Sequence, residues 1–158
     1  MRLSRPVEWE YTFEGCIGKP GWDERNNMSE DYPAKYLEGL QLFNEEDFYE
    51  CHDVLEELWA EVLGEEKKFY QGLIQASVAL FHFGNENFGG ARKLYFSSRK
   101  LLEAYPAEYM GVDLAKFLTD FQHCFQELLD AKDQYPTDIE LRDERIPKIG
   151  FPADQNAA

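Results

Sequence analysis

Cysteine is scarce in this chain of 158 residues, and its three copies, Cys16, Cys51 and Cys124, form no CxxC pair. An odd, scattered set excludes a disulfide framework and a zinc knuckle, so free thiols are expected. Positive charge is also in short supply: 16 Lys and Arg stand against 31 Asp and Glu, a formal net charge of −15. Phosphate backbones are bound by Lys and Arg, so no nucleic-acid partner is expected. No apolar run approaches the roughly 20 residues that span a bilayer, and the opening MRLSRPVEWEYTFEG lacks the apolar core of a signal peptide. The expectation is a soluble, cytoplasmic protein with no membrane partner. Absent too are G-x-x-x-x-G-K, G-x-G-x-x-G and G-x-S-x-G, which removes phosphate loops and serine-hydrolase elbows.

What the chain does have is apolar mass in helical rhythm. Hydrophobic residues make up 44% and aromatics 15%, enough for a core in one domain. Residues 1–30 carry Trp9, Tyr11, Phe13 and Trp22 among glycines and prolines and read as an irregular arm lying on the body or on a neighbouring subunit. Residues 31–135 read as a helical domain, and residues 136–158, with Pro136, Pro147 and Pro152, as an extended tail that frays at its end. Within the domain the apolar spacing predicts helices over about 33–43, 47–63, 66–83, 87–104 and 112–133. Pro33 suits a first turn, and Gly64 and Gly84 suit helix stops. The third helix is apolar almost all round and is expected to be central.

A shift of 40 residues lays Leu40 on Leu80, Phe43 on Phe83, Phe48 on Phe88 and Cys51 on Ala91. Small residues recur on both helices of each unit (Gly39 with Cys51, Ala79 with Ala91), which lets paired helices approach closely, as in tetratricopeptide-like repeats. Two units are fewer than such arrays need. The fold class is therefore all-α: a compact bundle of about five helices, two antiparallel hairpins plus a C-terminal helix. Gly72, amid good helix formers, predicts a close crossing.

Charge is divided between the hairpins. Residues 31–66 hold twelve acids and one lysine, whereas 67–111 hold six bases and three acids. Either these are solvated helical faces, or the acidic side of one subunit meets Arg92, Lys93, Arg99 and Lys100 of another. A homodimer is anticipated on the second view.

The densest chemistry is FYECHDVLEELW, residues 48–59. At 100° per residue, Phe48, His52, Leu55 and Trp59 fall within an arc of about 60°, with Glu56 one turn after His52. His52 therefore faces inward. On the next helix Gln71, Gln75 and His82 share a side of an otherwise apolar cylinder, a costly arrangement unless they find partners. The pattern predicts that His52 and Glu56 meet Gln71 and Gln75, with Trp59 and Tyr70 closing the ends. Three roles fit: a network fixing helix register, a ligand pocket with His52 or Glu56 as general base, or a metal site. Candidate metal ligands are His52, Glu56 and the more distant His82. Two ligands at i and i+4 fall short of a metal site, so no metal and no cofactor are expected. Cys51 is read as a space-filling thiol, His123 as solvated, and Glu50 and Glu57, about 160° and 140° from His52 on the wheel, as surface carboxylates.

The run FNEEDFYECHDVLEELW, followed by FYQGLIQASVALFHFGNENFGGARKL and YPAEYMGVDL, resembles the small all-helical family catalogued as domain of unknown function 309 (DUF309). The resemblance covers about residues 33–130. It implies a compact helical bundle and Glu50, His52, Glu56, Trp59, Gln71, Gly72 and Gln75 as the characteristic positions, and it transfers no activity. The leading functional expectation is a binding or scaffold module that recognises a protein or a small molecule. The alternative is an enzyme, metal-assisted hydrolysis for example, acting through His52 and Glu56.

Overall fold

The first helix starts where proline stops restricting the chain. Pro33 takes φ −56° and ψ 141°, and its carbonyl accepts from the amides of Tyr36 and Leu37. It thus precedes the first turn, one place earlier than its usual helical position. Residues 32–131 and 139–150 are described in a computed structural model of the chain. The expected arm at 1–30, with Cys16, lies outside the described residues, as do 132–138 and the tail's end from 151.

Five helices follow in order: α1 (Ala34–Asn44), α2 (Phe48–Glu61), α3 (Glu66–Gly84), α4 (Phe88–Leu102) and α5 (Leu114–Ala131). The bundle is all-α apart from a two-residue hairpin, β1 (Glu108–Tyr109) and β2 (Val112–Asp113), paired antiparallel with Tyr109 opposite Val112. No described helix is long and apolar enough to cross a membrane.

α3 lies between α2 and α4, and every residue from Phe69 to Leu80 is buried. Close contacts between neighbouring helices explain the small residues. A Cβ on Gly72 would come 2.6 Å from Leu102 Cδ2, and one on Gly39 would come 2.5 Å from Leu55 Cδ2. Cys51, Ala79 and Ala91 are fully buried. α5 then covers the bundle with an aromatic stripe: Tyr95 stacks on Phe125 at 4.9 Å between ring centroids, and Phe83 meets Phe125 at 4.9 Å. Such pairs add to the area they bury.

The two helical hairpins turn alike, at the same 40-residue offset. Glu46 and Glu86 sit at φ 66° and 65°, in left-handed conformation. Around them Asp47 N bonds Leu42 O at 2.9 Å and Asn87 N bonds His82 O at 2.8 Å. This is the Schellman closure of a helix C-terminus, with glutamate in the place glycine usually takes. Gly84 is the last residue of α3 and not its left-handed cap. Gly64 caps nothing either. α2 ends at Glu61, and Lys67 Nζ donates to the carbonyls of Trp59 (2.6 Å) and Val62 (3.2 Å).

The fifth helix begins two residues later than its spacing predicts because Val112 and Asp113 pair with β1; Asp113 Oδ1 then accepts from Lys116 N at 3.1 Å. Residues 139–150 are without regular structure except a 3₁₀ turn at Asp143–Arg145, and they bury Ile139, Ile146 and Ile149 against the core. Asn44 anchors them, its amide donating to Ile149 O (2.8 Å) and accepting from Ile149 N (2.7 Å).

Candidate functional site

His52 stands on the second turn of α2, where the 3.6-residue period brings Phe48, Leu55 and Trp59 inward with it. Its side chain is 7% exposed. The ring stacks on Tyr49 with centroids 5.5 Å apart and planes 28° from parallel. Nδ1 lies 3.3 Å from the Tyr49 carbonyl. A carbonyl only accepts, so this contact assigns the ring proton to Nδ1 and leaves the Nε2 lone pair open. Two carboxylates flank the ring: Asp53 Oδ1 is 3.9 Å from Nδ1, and Glu56 Oε1 is 3.7 Å from Nε2. Both distances exceed a direct hydrogen bond. One ligand atom from each of His52, Asp53 and Glu56 lies within 4.8 Å of the others.

Asp53 is the member that helical-wheel reasoning missed. A step of 100° from His52 assigns it to the outside, and it is indeed exposed, yet its short side chain reaches back to the imidazole. The adjacency of His and Asp in the sequence was the available signal.

The other anticipated residues divide between different places. Gln75 is buried, and its Oε1 accepts a hydrogen bond from Ser97 of α4. Gln71 is buried on the same helix. His52 makes no hydrogen bond to either glutamine among the described residues; its polar contacts stay within α2. Tyr70 lies in the core, 5.7 Å from Tyr36 and 6.1 Å from Phe69 between ring centroids. Trp59 is buried under Lys67, whose ammonium sits 4.1 Å above the indole. His82 is half-buried, 3.4 Å from Asn87 through Nδ1, and burial holds its pKa below the usual histidine range. Glu50 is exposed, Glu57 pairs with Lys35 at 3.0 Å, and His123 is exposed. Cys51 packs beside Ser77 of α3; burial pushes its thiol up to about 12, with the Ser77 hydrogen bond pulling the other way. A thiol so protonated is not a nucleophile.

Exposed charge is sorted by helix. On α2 the exposed acids are Glu50, Asp53, Glu57 and Glu61. On α4 the exposed residues include Lys93, Lys100 and Phe96, which is 49% exposed, and Arg92 lies 5.2 Å over the Phe96 ring. Arg99 is committed inside the fold, donating to Leu118 O at 3.1 Å and pairing with Glu103.

The segment from α1 to the middle of α4 is also what known proteins share. A family model described as "Domain of unknown function (DUF309)" matches residues 36–94. The Bacillus subtilis (strain 168) protein "Uncharacterized protein YpuF" is 30% identical over 119 residues, which cover 73% of this chain and 68% of that one. The chain belongs to the DUF309 family. A second relative, an "Uncharacterized protein" of Aquifex aeolicus (strain VF5), is 30% identical over 97 residues, 61% of this chain and 28% of its own length. The DUF309 match contains α2 and α3 whole, and with them His52, Asp53 and Glu56.

Proposed function

We propose that the protein is a binding module that engages protein partners through two oppositely charged helical faces, and that a second copy of the chain is one such partner. The reading is carried by the sorting of exposed charge. Glu50, Glu57 and Glu61 fall in a stripe about 40° wide on α2, whereas Lys93, Lys100 and Arg92 surround the exposed ring of Phe96 on α4. Aromatic rings with arginine are the side chains enriched in protein interfaces. Complementary faces of this kind steer encounter and fix register more than they add affinity.

Salt gives the test. Sedimentation velocity should report self-association at low ionic strength, where the Debye length is about 30 Å, and monomer near 1 M salt, where it is about 3 Å. Lys93→Glu with Lys100→Glu should abolish the association, and mixing that variant with one carrying Glu57→Lys and Glu61→Lys should restore it. A monomer under all conditions, unaffected by these changes, removes the self-association reading.

A further inference from the structure

One side of α3 is left over once its neighbours are placed. Phe69 meets Tyr109 of β1 and Phe83 meets Phe125 of α5; α2 reaches the helix through Tyr49 on Phe81, and α4 through Ser97 on Gln75. Gln71, Gln75 and Val78 fall within an arc of about 60°, turned away from Phe69 and Phe83. They floor a groove walled by α2 and α4, across which no described helix runs. We propose that residues 8–13 of this same chain lie extended in that groove, with the side-chain amide of Gln71 bonded to their main chain.

Two side chains on the floor call for a cover. Val78 is 4% exposed, yet among the described residues it is the one buried apolar side chain that joins no part of the contiguous core. Gln71 is 6% exposed, and its amide makes no hydrogen bond among the described residues. A buried amide left in that state is costly, and a shielded valine needs apolar surface against it.

Amide chemistry points to a main chain as the occupant. A glutamine side chain presents a carbonyl and an NH₂ group, the complement of a peptide unit. Gln71 and Gln75 stand about 6 Å apart along the helix axis, and peptide groups on one edge of an extended chain repeat about every 6.6 Å. An extended segment running along α3 therefore meets both amides in step. Gln75 Oε1 is taken by the Ser97 hydroxyl, which leaves its NH₂ group for a peptide carbonyl.

Residues 8–13 fit by pattern and by reach. Glu8, Trp9, Glu10, Tyr11, Thr12 and Phe13 alternate polar with aromatic, the period of an extended chain with one apolar face. That face supplies the surface that Val78 requires. Residues 14–31 lead from it to Tyr32, whose ring lies 5.7 Å from that of Tyr36 in α1. Fully extended they span about 60 Å, whereas all 19 residues of α3 measure about 28 Å. A tether of this kind holds a segment at an effective concentration of about 1 mM, which favours it over a second copy of the chain.

Thiol labelling of the full chain reads the groove directly, at about 1 M salt so that charged faces are screened and self-association does not enter. A thiol introduced by Val78→Cys should react with iodoacetamide, followed at that position by peptide mass spectrometry. The reaction should be at least about tenfold slower than in a chain that also carries Trp9→Ser, Tyr11→Ser and Phe13→Ser, and independent of protein concentration. In the unsubstituted chain, amides of residues 8–13 should exchange hydrogen more slowly than in the free peptide of that sequence. Gln71→Ala should speed that exchange about fivefold; if this variant loses helicity by circular dichroism, the labelling pair decides alone. Fast labelling of the Val78→Cys chain would mean an open groove. Slow labelling that ignores the three serines would mean a different cover, and protection that grows with protein concentration would mean a neighbouring copy's segment. Each of these overturns the proposal, as does exchange that a folded Gln71→Ala variant leaves unchanged.

Discussion

Gln75 and Ser97 form the side-chain hydrogen bond that ties α3 to α4, and its strength is measurable. Ser97→Ala leaves the buried Gln75 carbonyl without its donor and should cost about 1 kcal/mol in urea unfolding. In a double-mutant cycle with Gln75→Leu the coupling should be near 1 kcal/mol; a value under about 0.3 kcal/mol would mean the bond contributes nothing. The same residue shows how far the helical wheel reads. Spacing predicted that Gln75 is buried and in need of a partner, but it named His52 and Glu56, whereas the hydrogen bond comes from Ser97, 22 residues away. His52 was legible as inward-facing for the same reason, and Asp53 was hidden because the wheel tracks Cα directions and not the reach of a short carboxylate.

At the scale of elements, the left-handed glutamates are the point of strain. A residue with a Cβ pays about 1–2 kcal/mol in that conformation, and glycine recovers most of it at some cost in unfolded-state entropy. Glu86→Gly should therefore stabilise the protein by about 0.5–1 kcal/mol, read as a higher urea midpoint. Glu46 is a poorer choice because it pairs with Lys148 at 3.0 Å. The five helices were readable because ten or more residues of period 3.6 leave a clear signal. β1 and β2 were not: two-residue strands have no period, and their turn through Met110 (φ 50°) and Gly111 (φ 79°) is held by Tyr36, whose hydroxyl donates to Met110 O at 2.8 Å. That contact spans 74 positions, outside any local window.

For the whole molecule, burial of protonated thiols and phenols makes stability depend on pH in a definite direction. Burial pushes Cys51 and Cys124 up to about 12, and raises Tyr36 and Tyr70 as well. In the unfolded chain thiols ionise near pH 8.5 and phenols near pH 10, to about half a unit. The folded state thus keeps protons that the unfolded state releases, so stability is full below about pH 8.5 and falls above it. Each thiol should remove about 1.4 kcal/mol per pH unit. Urea titrations at about pH 7.5 and about pH 10 check this; equal midpoints would mean that the thiols reach water in the folded state.

The Asn44–Ile149 clasp also has a meaning in time. Its halves lie 105 residues apart. At roughly 5–20 residues per second, a ribosome needs roughly 5–20 s to travel between them. For most of that interval α1 and α2 are already made, while the Asn44 end of α1 lacks its Ile149 partner and the isoleucines that will shield this flank have yet to be synthesised. Sealing of the bundle is thus a late event in the life of the nascent chain, however early its helices appear.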